Sequence, residues 1–221
     1  MRGSLLVALL VAAVAGCTAG SFGAQATVVG VLPQSPVIQG RDGGPSGVVW
    51  GHSVWTFGDT VLEQKDAEGT NWHHNSFSLT DDKSAADGLT GFAERLDSAG
   101  APRYFVAPTA EEAVFNADHR GEPCKVAPCG ARWAVWPGPP IWDAARSRAL
   151  LFYGLIYAEP GDFNFHGVGQ SVAVWSDFAA EPQRPILTPG AEHPTLLFSL
   201  GVPPWGPAAL IDDDQLYAFG C

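Results

Sequence analysis

Positive charge is what this sequence has least of. Twelve lysines and arginines stand against 23 aspartates and glutamates, and the formal net charge is −11. A phosphate backbone is held by clustered Lys and Arg, so nucleic acid is excluded as a partner. Charge of either sign is sparse, at 16% of residues against 46% hydrophobic. That balance excludes a disordered chain and leaves ample material for a core. Long apolar runs are lacking too: Leu5 to Val14 stands out, and it is too short to span a bilayer comfortably. Cysteine is limited to four positions, 17, 124, 129 and 221. No second Cys pair and no His pair at ligand spacing lies near Cys124 and Cys129, which disfavours zinc. Spaced by four residues, these two are expected to close a small disulfide loop in an oxidising compartment. No cofactor and no metal is expected.

What is present in quantity is turn formers and aromatics. The chain holds 26 Gly, 18 Pro, 8 Trp and 12 Phe, a composition that fits short strands in an all-β protein. Arg2 and the apolar run lead to Val14-Ala15-Gly16-Cys17, which resembles a bacterial lipoprotein signal ending at a lipidated cysteine. An ordinary secretory signal cleaved nearby is the alternative, and either one exports the chain. The expectation is therefore a signal over 1–16, lipidation at Cys17, a tether over 17–38 and a cell-envelope protein held to the membrane by its lipid.

The stretch from Arg41 to Thr60 organises the rest. It reads as two apolar strands about a tight turn at Gly51-His52, which sets Trp50 near Ser53 and Gly44 near Asp59. Asp42 then falls on the same rim as Asp59. Neighbours on one rim of an antiparallel pair sit roughly 5–9 Å apart, the range in which paired carboxylates cleave glycosides. The plainer alternative is that Asp42 makes an Asx turn and Asp59 caps a strand end.

The hairpin form recurs. Gly138–Trp142 leads through a polar turn to Ala149–Gly154, and residues 207–211 lead through Asp212-Asp213-Asp214 to Gln215–Gly220. Each unit ends in aromatic-Gly: Phe57-Gly58, Tyr153-Gly154 and Phe219-Gly220. Residues 75–80, a weaker strand near 92–96 or 103–106, 171–175 and 183–187 supply further strands, giving four per unit, the mark of a propeller. The first unit carries an insertion over 109–129, with a short helical turn near 111–115. The third unit stops after its second strand. The expectation is thus a fragment, with units over about 40–130, 131–190 and 191–221.

Arg41-Asp42-Gly43-Gly44, Phe57-Gly58-Asp59-Thr60, Asn75-Ser76, Asp81-Asp82 and Asp87-Gly88-Leu89, in that order, resemble the bacterial domain-of-unknown-function family 4185. The resemblance covers residues 40–221. It implies a five-bladed β-propeller related to glycoside hydrolases, some of them endo-acting on D-arabinan. It also implies that Asp42, just before the first inner strand, is a general base. The corresponding acidic residue of a later blade is missing before Pro207, which leaves Asp59 as partner and Glu159 or Asp162 as outside candidates.

The chemistry needs one carboxyl protonated and one ionised. Asp42 among glycines is expected to be ionised, and Asp59, after Trp55-Thr56-Phe57, to be raised in pKa. His74, Asn75, Trp136, His166 and Trp205 are candidate sugar contacts, through hydrogen bonds to hydroxyls or stacking on rings. Packing is the competing role for each. Adjacent His73 and His74 point to opposite faces of a strand, which disfavours chelation by the pair. The acidic triplet 212–214 reads as a solvated turn. A sialidase-type site is disfavoured, because few arginines lie near strand starts. The expected partner is a poly- or oligosaccharide, cleaved by a glycoside hydrolase or held by a non-catalytic carbohydrate-binding propeller.

Overall fold

A computed structural model describes residues 28–66, 68–202, 205–206 and 208–220. The expected signal over 1–16, Cys17 and Cys221 lie outside the described residues. The class is all-β: three antiparallel sheets follow one another along the chain.

The first sheet is built on β1 (Ile38–Val49) and β2 (His52–Leu62), followed by β3 (Trp72–His73), β4 (Ser76–Thr80) and β5 (Ala93–Glu94), in the order β1-β2-β4-β5 with β3 also on β2. The hairpin turns one residue earlier than its sequence signal. Val49 pairs with His52, and Trp50 and Gly51 form the turn, at φ 47° and 83°. A bulky residue at positive φ is strained. Here packing overrides the local preference, because the Trp50 ring sits 4.7 Å from Trp142 and 4.9 Å from Trp175. The shifted turn sets Val48, not Trp50, opposite Ser53, and register shifts set Gly43 opposite Phe57 and Arg41 opposite Thr60.

The second sheet runs β6 (Arg132–Asp143), β7 (Arg148–Ala158), β8 (Phe165–Trp175) and β9 (Phe198–Ser199), in that order. Near-continuous apolar residues in β7 match a strand buried on both faces. The third sheet is the hairpin β10 (Ala208–Asp212) and β11 (Gln215–Phe219), packed on β6. The expected strand over 183–187 reduces to one bridge, Gln183 to Val174.

The main core lies between the first two sheets. Val54 and Phe77 from one meet Leu151, Leu155, Ala173 and Trp175 from the other. At one point the two backbones touch directly. A Cβ placed on Gly47 would lie 2.0 Å from the Pro140 carbonyl oxygen. Thr56 reinforces the junction, its hydroxyl donating to the Gly138 carbonyl at 3.1 Å.

The insertion forms a helix longer than its sequence signal, α1 (Ala110–Asp118), opened by a capping box in which Thr109 and Glu112 satisfy each other's backbone N–H groups. Past it, Cys124 and Cys129 are joined in a disulfide. None of the α1 residues is buried, so the helix depends on side-chain ties to the sheets. The strongest tie is Glu112, gripped by both terminal nitrogens of Arg184.

Candidate functional site

Alternation along β1 sends residues 41 and 42 to opposite faces. Arg41 is fixed on one face and almost fully buried, its guanidinium 3.3 Å from the Glu94 carboxylate and 3.6 Å above the Phe57 ring. Asp42 is thereby turned over β2 toward β6. A Cβ on Gly58 would meet the Asp42 Oδ1 at 2.4 Å and the Trp136 ring at 3.7 Å. A side chain at 58 would occupy the place the carboxylate takes, so Gly58 leaves room for Asp42 to lie over β2.

Asp59 follows Gly58 and receives the Trp136 indole N–H at 3.4 Å. Asp42, Asp59 and Trp136 therefore meet at the junction of β1, β2 and β6. Loss of solvent, and then the charge of Asp59, push the Asp42 carboxyl above its ordinary value, while backbone amides at 59 and 42 partly oppose the shift. The direction of the shift on Asp42 runs opposite to the ionised state expected from its glycine neighbours. A raised pKa keeps the proton to higher pH, so removing the neighbouring charge must lower it. Asp59→Asn is expected to move the Asp42 titration down in pH, as read from its side-chain ¹³C shift by NMR. A titration that stays in place, or moves up, contradicts the coupling.

Trp136 and Trp205 come together as walls of a cavity of about 220 Å³ that also includes Phe152 and Gln170. The Trp205 backbone N–H donates to the Gln170 side-chain oxygen at 2.9 Å. His166 does not join them. Phe165 and His166 face opposite sides of β8, so Phe165 packs edge-on against Trp136 at 5.1 Å, while exposed His166 lies against Tyr157 at 5.6 Å. Phe165, the neighbour of the expected contact His166 at the start of β8, is the ring that reaches Trp136. Glu159 is exposed and accepts from the Tyr157 hydroxyl at 3.4 Å, and Asp162 lies in an exposed loop.

Asn75 has no capacity left for a sugar. It is fully buried, its oxygen accepting from the Phe105 and Val106 amides at 2.8 and 3.1 Å and its nitrogen facing the Val106 and Val135 carbonyls at 3.0 and 2.9 Å. It clamps a loop and β6 to the first sheet. His74 is also buried, but one edge of its ring is unused. His73 pairs with Asp66 at 2.7 Å, both side chains almost fully covered. Among the described residues, no three His, Cys, Asp or Glu side chains gather as a metal site.

No protein-family model matches the chain, and no curated protein matches it significantly. Among solved structures it is similar to a candidate hydrolase from Bacteroides ovatus, at 14% identity and a TM-score of 0.47. That similarity covers 85% of this chain, which spans about half (47%) of the Bacteroides chain.

Proposed function

We propose that the chain is glycoside-hydrolase-like and acts on a furanose-containing, arabinan-type polysaccharide, with Asp42 as general acid and Asp59 as the base or nucleophile. The observation that carries this reading is the pair itself: two carboxyls at one strand junction, one of them raised in pKa, beside a cleft walled by Trp136 and Trp205. Hydrolysis of a glycosidic bond needs one carboxyl that donates a proton to the leaving oxygen and one that acts as base or nucleophile. The aromatic walls supply stacking surfaces for sugar rings. In this reading the three sheets are successive blades of a five-bladed propeller of the family-4185 type, exported and anchored through a lipid on Cys17.

The test is reducing-end release from arabinan by the full chain and its Asp42→Asn and Asp59→Asn variants. Removing a general acid or base typically costs 10²–10⁴-fold, so both variants are expected to lose at least about a hundredfold. Full turnover in either one defeats the assignment.

A second reading, a non-catalytic carbohydrate-binding protein, is favoured by one observation. The Trp136–Trp205 cavity contains no carboxylate among its lining residues. It predicts arabinan binding that survives both substitutions, with no turnover in any form.

A further inference from the structure

A cavity of about 210 Å³ lies between β3, the segment after α1 and the start of β6. Trp72, His74, Tyr104, Arg120 and Arg132 contribute to its wall. It is smaller than the roughly 300–1,000 Å³ of drug-sized sites and suits a single small ring.

Two donors at this cavity have no partner among the described residues: His74 Nε2 and Arg132 Nε, both buried. A buried donor left without a hydrogen bond is costly, so two at one cavity call for an acceptor. The imidazole tautomer follows from its other edge. His74 Nδ1 accepts the Val135 N–H at 3.1 Å, which leaves the ring proton on Nε2. Burial keeps the ring neutral by pushing its pKa down to about 3. His74 is therefore a fixed donor at any physiological pH.

Arg132 supplies the charge. Its guanidinium lies 5.2 Å from the Trp72 ring and has no carboxylate partner among the described residues. Arg120 adds a second guanidinium, partly engaged with Glu68 at 3.9 Å, where the glutamate side chain is 63% exposed. The remaining wall is aromatic: Tyr104 stacks on His74 at 4.5 Å, and Trp72 is 41% exposed. One uncompensated guanidinium beside a neutral N–H matches a monoanion, and an exposed indole beside it matches a sugar ring.

We propose that this cavity is a carboxylate-recognition site for a sugar acid, in which Arg132 and the His74 Nε2–H donate to the carboxylate and Trp72 covers the ring. The site is separate from Asp42 and Asp59 and stands whether or not those residues are catalytic.

The test titrates the full chain with D-glucuronate and, as the neutral counterpart, D-glucose, following tryptophan fluorescence and calorimetry. Glucuronate is expected to bind at least tenfold more tightly than glucose. Arg132→Gln is expected to weaken glucuronate at least tenfold and leave glucose unchanged, and Asp42→Asn to leave both unchanged. Arg120→Gln, at the surface, is expected to weaken glucuronate severalfold and carries the test should Arg132→Gln not fold. Equal binding of the two sugars, undiminished glucuronate binding in Arg132→Gln or Arg120→Gln, or loss in Asp42→Asn overturns the proposal. So does inorganic phosphate binding more tightly than glucuronate and displacing it.

Discussion

Replacing Arg184 by methionine is expected to lower the unfolding free energy by about 3–5 kcal/mol, the usual cost of stranding one member of a buried ion pair. The pair with Glu112 is almost wholly desolvated, its side chains 4% and 11% exposed. Arg184 also donates to the Tyr153 hydroxyl at 3.1 Å and to Thr195 Oγ1 at 3.0 Å, so three elements lose a common partner at once. Burial alone would lower the Arg184 pKa; the hydrogen bonds and charge of Glu112 outweigh it and leave a net rise. Urea denaturation of the variant reads the effect. A loss under about 1 kcal/mol would mean that Glu112 regains water when its partner goes, and the pair would then rank with ordinary surface bridges. The double variant Arg184→Met/Glu112→Met separates the cases, because it strands no charge and is expected to recover most of the loss.

Asn75→Ala is expected to cost at least about 3 kcal/mol, since it leaves buried backbone groups at 105, 106 and 135 without partners, each worth roughly 1 kcal/mol or more. The same denaturation experiment measures it. A near-neutral substitution would show that the clamp is dispensable and would reopen a ligand-binding role for the residue. Asn75→Asp sharpens the measurement. It keeps the shape and the acceptor for the Phe105 and Val106 amides, but it sets a carboxylate oxygen against the Val106 and Val135 carbonyls. Its cost is expected to approach that of alanine.

These residues also mark where the sequence was legible. The strands β2, β4 and β7 follow from alternating and continuous apolar runs, and the nearness of Asp42 to Asp59 follows from hairpin geometry, because both residues lie within twenty positions of one turn. The turn itself is misread by one residue, since nothing local announces that Trp50 adopts positive φ; the rings that hold it there come from residues 142, 175 and 178. Asn75 reads as a polar strand residue free for a ligand, and its partners lie 30 to 60 positions away. Arg184 and Glu112, 72 positions apart, carry no local signal at all. The shift on Asp42 is hidden for a related reason: its glycine neighbours in sequence read as solvated, whereas tertiary packing removes solvent from the carboxyl and sets the charge of Asp59 beside it.

The contact between Gly47 and Pro140 bears on motion. Backbone touches backbone there with no side chain between, and the Thr56–Gly138 hydrogen bond sits beside it. A junction of that kind has no rotamers to exchange and no gap to compress, so β1 and β6 move as one body. Asp42, Asp59 and Trp136 are thus carried on strands that meet backbone to backbone. Adjustment to a guest in the Trp136–Trp205 cleft then falls to the exposed connection that delivers Phe165.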